Sequence, residues 1–207
     1  MPSQQGPSSK SSSTSPTGPA TDASSSDSGP GKDATVVVGN GKITVTVYED
    51  FRCPPCKNLD TQLQPILKSK LAAGAIKVEY HAVTIVDHST DGHGSLAAAN
   101  AASCANAAGQ FQAYHDALFA AQPQETDDTF AQPDKLIAIA QGVSGLDSPT
   151  FESCVHDQPY AKSVKHANDS FAFPGVPAIL INGKQWMAPP TGDAAAPFTQ
   201  ALAAAGA

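Results

Sequence analysis

Two cysteines separated by two prolines, Cys53-Pro54-Pro55-Cys56, stand where an extended segment gives way to a helical one. That junction constrains the fold more than any other stretch. Residues 42–48 alternate β-branched and polar side chains and read as a strand. Residues 49–52 turn the corner. From 53 to 71, Leu59, Leu63, Ile66, Leu67 and Leu71 recur at helical spacing. Proline suits a first helical turn because its φ is already set. Cys53 therefore falls at a helix N-terminus, where unpaired N–H groups and the helix dipole favour an anion. A thiolate is such an anion, and stabilising it lowers the thiol pKa from about 8.5 into a range of roughly 3.5 to 7.5. Arg52 and Lys57 flank the motif and are expected to stabilise the thiolate further. Two cysteines across one helical turn close a small disulfide of the labile kind. The motif reads as a redox-active dithiol.

The alternatives are an inert local disulfide and half of a zinc site. A structural zinc site wants four ligands, often two such pairs. The remaining cysteines, Cys104 and Cys154, stand alone and far apart, and no spaced His pair accompanies them. No metal is expected. Asp87, His88, Asp91 and His93 lie in a polar stretch that reads as a solvated loop, since no regular spacing makes them converge.

The chain has 207 residues, and the first 33 are dominated by Ser, Thr, Pro, Gly and Asp. Such a stretch buries too little surface to offset its ordering entropy, so residues 1–33 read as a disordered linker. The rest is long enough for a sizeable core. A net charge of −7 without a basic stripe excludes a nucleic-acid partner. No apolar run is long enough to span a bilayer, and no signal peptide is visible. A Ser/Pro/Thr-rich segment is nevertheless the usual tether of an extracytoplasmic domain. The protein is expected to be secreted or membrane-anchored, with its signal or anchor absent from this chain; a cytoplasmic protein with an unusual tail is the alternative. Cys104 and Cys154 fall in two different helical segments and are expected to pair in an oxidising compartment. Closing that loop is worth roughly 4 kcal/mol. The alternative is two buried free thiols.

In chain order, residues 34–38 and 42–48 read as strands, and Gly39-Asn40-Gly41 between them signals a hairpin. Pro65 lies inside the first helix, and Gly74 ends it. Residues 76–86 read as one long strand, giving a strand–helix–strand crossover with a parallel pair. A polar loop over 87–94 leads to helical segments at 96–108, 111–121, 133–141, 148–156 and 159–170, with Ser148 as an N-cap. Residues 178–181 and 185–187 are strands around a turn, and 194–205 form a terminal helix.

This order resembles the DsbA-like thiol–disulfide oxidoreductases. The active-site segment Tyr48-Glu49-Asp50-Phe51-Arg52-Cys53-Pro54-Pro55-Cys56 is similar to theirs. So are Ala101-Ala102-Ser103-Cys104-Ala105, Gly109-Gln110-Phe111 and His115-Asp116-Ala117-Leu118-Phe119 in the helical part, and Gly175-Val176-Pro177-Ala178-Ile179-Leu180-Ile181-Asn182-Gly183 near the end. The resemblance covers roughly residues 34–205. It implies an α/β thioredoxin fold, a central mixed sheet flanked by helices, with an α-helical insertion domain. Residues 34–86 and 171–207 would form the thioredoxin-like domain and 87–170 the insertion. By the same resemblance Cys53 is the exposed nucleophile and Cys56 the buried resolving thiol. Pro177 is then a cis proline facing the disulfide, and the Val176 backbone, with Pro54 and Pro55 beside the thiol, meets an extended substrate peptide. Glu49 and Asp50 are candidate proton acceptors for Cys56; solvated loop carboxylates are the other reading. Where strongly oxidising members often carry a histidine, this chain has Pro55, which implies a moderately oxidising couple.

The resemblance also implies reduced exported proteins as substrates and a quinone-linked membrane oxidase as recycling partner. No dissociable cofactor is required, and the absence of a Gly-rich phosphate loop argues against nucleotide use. A reductase or isomerase on the same fold and a non-catalytic peptide-binding module are the alternatives.

Overall fold

The computed structural model describes residues 34–207; the linker expected over 1–33 lies outside the described residues. Its strands are β1 Val36–Gly39, β2 Ile43–Glu49, β3 Ile76–Ala82, β4 Ala178–Ile181 and β5 Lys184–Trp186. They form one mixed five-stranded sheet in the order β1-β3-β2-β4-β5. β2 runs parallel to β3, as the crossover requires, and antiparallel to β4; β1 and β5 pair antiparallel to β3 and β4.

The hairpin expected at Gly39-Asn40-Gly41 does not form, because β3 lies between β1 and β2. The glycines serve a close crossing instead. Gly41 donates its N–H to the Ile76 carbonyl at 3.1 Å. A Cβ there would sit 2.2 Å from the Ile76 nitrogen, which no side chain tolerates. The link passes over the start of β3, and β2 emerges on its far side.

Helix α1, Pro54–Ala72, makes the crossover and runs through Pro65 without a break. Its buried residues include Cys56, Leu59, Leu63 and Leu67. Helix α8, Ala195–Ala205, packs against α1 and β4, burying Phe198 and Leu202 completely. Each such side chain contributes about 1.5–3 kcal/mol.

Between β3 and β4 come α2 Ile85–Thr90, α3 Gly94–Ala107, α4 Phe111–Ala120, α5 Pro133–Ala140, α6 Pro149–Asp157 and α7 Ala161–Asp169. The long strand expected to reach residue 86 stops at Ala82, and part of the expected polar loop is helix α2. The reason lies in the partners. β2 ends opposite Ala82, so the ladder has nothing further to pair with. The Val86 N–H turns to the Asp50 carboxylate at 2.9 Å and the Thr84 N–H to the Asn168 amide oxygen at 3.1 Å.

The alanine-dense α3 is the hub of this helical layer, with Ala98, Ala101 and Ala105 fully buried. A disulfide joins Cys104 on α3 to Cys154 on α6. Asn100, also fully buried, donates to the Cys154 carbonyl and accepts from the Tyr160 N–H. Ser148 caps α6 by accepting from the Phe151 N–H at 3.3 Å.

Candidate active site

The central strand β2 delivers the motif at its C-terminal end, and the corner after it is tied from several sides. The Cys53 N–H bonds to the Asp50 carbonyl at 3.0 Å. The Asp50 carboxylate accepts from the Arg52 and Val86 N–H groups at 2.8 and 2.9 Å. Gln122, two residues past the end of α4, donates to the carbonyls of Phe51 and Cys53 at 2.9 and 3.0 Å. Cys53 itself is the N-cap of α1, in extended backbone, and Pro54 opens the helix. Across from it the Val176–Pro177 peptide is cis, and the Cys53 thiol donates to the Val176 carbonyl at 3.7 Å. Two segments more than a hundred residues apart in sequence meet there. Pro54 and Pro55 are exposed beside them.

Both thiols are free and enclosed: Cys53 is 6% exposed and Cys56 2%, the latter as the resemblance implies. Cys53 was expected to be exposed; the Val176–Pro177 segment over it accounts for the difference. Their chemistry diverges nonetheless. The Cys56 thiol, by hydrogen bonding, holds the Cys53 pKa below its usual value against the effect of burial, with the Cys56 N–H adding to it. Burial pushes Cys56 well above the ordinary thiol range, and its hydrogen bond to Cys53 adds to that. One thiol is poised to ionise and the other to keep its proton.

The two cations expected to hold the thiolate face elsewhere. Arg52 is fully buried, and its guanidinium is 2.7 Å from both Asp87 and Asp128. It also donates to the Glu125 carbonyl at 2.9 Å. Asp87 and Asp128 in turn accept the first N–H groups of α3, from Gly94, Ser95 and Leu96. The Arg52 charge is thus balanced by two carboxylates that cap a helix, and it acts between the motif and α3 rather than on Cys53. Lys57 directs its ammonium to the Ala120 carbonyl at 3.4 Å, at the C-terminal end of α4. Asp87 is therefore a partner of Arg52, and His88 bonds with the Asn168 amide at 3.1 Å.

The two acidic residues before the motif are buried, not solvated. Burial pushes Asp50 up to about 6, against the N–H bonds it accepts. Glu49 lies 2.8 Å from His115, a fully buried residue of α4. Burial alone would lower the imidazole pKa; the Glu49 charge, with the Asp116 carboxylate 3.8 Å from the other ring nitrogen, overcomes it and raises it to about 10. Phe51, Phe111 and Phe119 surround the ring at 5.0–5.6 Å. His115 and Gln122 are the site residues the sequence did not single out. Only the placement of His115 on the apolar face of an amphipathic helix hinted at it, and a polar residue there must find a partner.

Residues 32–198 match the family model named Thioredoxin. A probable disulfide bond formation protein D from Bacillus anthracis is 22% identical over 145 residues, covering 68% of this chain and 65% of that protein, which is under two thirds of its length. The reduced disulfide bond oxidoreductase DsbG of Mycobacterium tuberculosis superposes with a TM-score of 0.68 at 25% identity, covering 84% of this chain and 87% of that one. Oxidised DsbA of the same organism gives 0.68 at 26% identity, over 84% and 93%. With a mixed sheet, a Cys-Pro-Pro-Cys helix start and a layer of helices between β3 and β4, the chain belongs to the thioredoxin family as a DsbA-like member.

Proposed function

We propose that this protein is a thiol:disulfide oxidoreductase that works outside the cytoplasm, exchanging disulfides in exported proteins through Cys53 and Cys56. The observation that carries this reading is the asymmetry of the two thiols, one pulled down and one pushed up, within a single helical turn. In the oxidising direction a substrate thiolate attacks Sγ of Cys53, the Cys53–Cys56 bond breaks, and Cys56 leaves as the thiolate. A second substrate thiolate then attacks the substrate sulfur of the mixed disulfide, and Cys53 leaves as a stabilised thiolate. The half-buried Val176–Pro177 segment and the exposed Pro54 and Pro55 form the surface against which an extended substrate chain lies. Residues 87–170 act as the helical insertion domain, with 34–86 and 171–207 as the thioredoxin-like part. The Cys104–Cys154 disulfide fits an oxidising compartment. Reoxidation falls to a quinone-linked membrane oxidase.

With neither Arg52 nor Lys57 acting on the thiolate, the couple is moderately oxidising. The test is the equilibrium reduction potential of the Cys53–Cys56 pair against glutathione, with Cys53→Ser as control. A value of about −120 to −200 mV supports the oxidase reading, and one near about −270 mV makes the protein a reductant and overturns it.

A further inference from the structure

The loop that follows α4, residues 121–128, is pinned to the redox motif from both sides. Gln122 donates to the carbonyls of Phe51 and Cys53, and the Arg52 guanidinium donates to the Glu125 carbonyl and pairs with Asp128. The Asp127 N–H closes a tight turn onto the Gln124 carbonyl at 2.8 Å, which leaves Glu125 at an exposed tip. The carboxylates of this loop differ in what they hold. Asp128 is engaged with Arg52 and the N–H groups of His93 and Gly94, and Asp127 with the N–H and hydroxyl of Thr129. The Glu125 carboxylate has no hydrogen-bond or ion-pair partner among the described residues. Its charge nevertheless reaches Cys53, where it and the buried Asp50 oppose ionisation of the thiol. Arg52 and Lys57 face elsewhere, so the charges that bear most on the nucleophile are negative. Of the two, Glu125 is the one a partner meets.

We propose that Glu125 is a specificity-determining residue of the exchange reaction: it favours partners with a lysine or arginine beside the reacting cysteine and holds back anionic thiols and disulfides. This deepens the redox-pair reading above and rests on it. A carboxylate fixed beside a nucleophilic thiol works against the thiolate of the free protein. A cation arriving with the partner offsets that charge, and an anion compounds it. The pinned loop keeps the carboxylate in place, so the discrimination is set before the partner binds. In the step concerned, the Cys53 thiolate attacks one sulfur of a partner disulfide and the new S–S bond forms. The partner's own S–S bond breaks, and its other sulfur leaves with the electron pair as a thiolate. Glu125 makes no bond in this step and acts through its charge alone. The net charge of −7 also draws cations to the chain as a whole. Glu125→Gln removes one of those charges, at one place, and so separates the local effect from the general one.

Methanethiosulfonates that share one reactive group and differ in charge provide the test on the reduced protein. The cationic 2-(trimethylammonio)ethyl, neutral methyl and anionic 2-sulfonatoethyl reagents each lose methanesulfinate when Cys53 attacks. Consumption of reduced protein is followed by acid quenching and mass spectrometry. Glu125→Gln is expected to lower the ratio of cationic to anionic rates about fivefold in about 20 mM salt, roughly twofold for each sign of charge. The methyl reagent should stay within about twofold of the parent rate. In about 0.5 M salt the two proteins should differ by less than about twofold in that ratio. Glu125→Lys should carry the ratio further in the same direction, and Glu125→Asp should keep it near the parent value. An unchanged ratio in Glu125→Gln overturns the proposal. So does an equal change for all the reagents, because the residue then acts on the thiol and not on the partner. A reduced parent protein whose Cys53 reacts with none of them overturns the redox-pair reading itself.

Discussion

The buried pair of Glu49 and His115 makes a sharp prediction about stability and pH. With its pKa raised from 6.5 to about 10, the folded imidazole holds a proton that the unfolded chain gives up. The resulting stabilisation is fully present below pH 6.5 and is lost as pH rises through about 10. Each pH unit inside that window costs about 1.4 kcal/mol. Integrated over the two pKa values, the contribution falls from about 4 kcal/mol at pH 7 to about 1 kcal/mol at pH 9. Glu49→Gln keeps the side chain's shape and removes the charge that holds the proton. The variant should therefore be less stable than the parent by roughly 3–4 kcal/mol at pH 7 and by only about 1 kcal/mol at pH 9. The assay is urea unfolding of both proteins in their oxidised form, so that Cys53 and Cys56 do not titrate, at half-unit steps across this range. Asp50 and Asp60, each raised to about 6, are already largely ionised from pH 7 upward in both proteins and add little to the slope. If the two stability curves run parallel between pH 7 and 9, His115 is neutral in the folded protein and the argument from the pair fails.

Other predictions follow from the ties around the site. Removing the disulfide with Cys104→Ala and Cys154→Ala opens a loop of 50 residues. The loss should be roughly 4 kcal/mol by urea unfolding, and a loss below about 1 kcal/mol would contradict the loop-entropy account. Arg52→Met leaves Asp87 and Asp128 without their cation and should cost about 3–5 kcal/mol. Amide hydrogen exchange at Gly94, Ser95 and Leu96 should speed up in that variant, because those N–H groups bond to the same two carboxylates. Exchange as slow as in the parent would mean that Arg52 does not hold them.

What the sequence revealed was local in origin. Period-two alternation over 42–48 and the leucine spacing after Cys53 are properties of short windows, and both elements form where those windows lie. The Ser148 cap is likewise settled within four residues. What stayed hidden depended on distant partners. Gly39-Asn40-Gly41 looks the same whether it turns a hairpin or slips past a neighbouring strand, and only β3, some 35 residues on, decides. The run from Val83 to Val86 has strand propensity, yet the edge it would extend has ended by then. The charge of Arg52 was legible, but its destination was not. A cation beside a cysteine reads as a thiolate partner until the fold brings Asp87 and Asp128 nearer. The helix face of His115 hinted that it needs a partner, but nothing local named Glu49, 66 residues away.

The position of β2 between β3 and β4 has a consequence for how long the site keeps its shape. A strand with neighbours on both sides exposes its amide hydrogens only when the surrounding sheet comes apart, so its opening energy approaches that of global unfolding. The footing of Cys53 is thus set by the middle strand of the sheet. Thiol and disulfide forms can alternate over many turnovers while that footing stays still, and the small adjustments of each cycle fall to the first turn of α1 and the segment around Pro177.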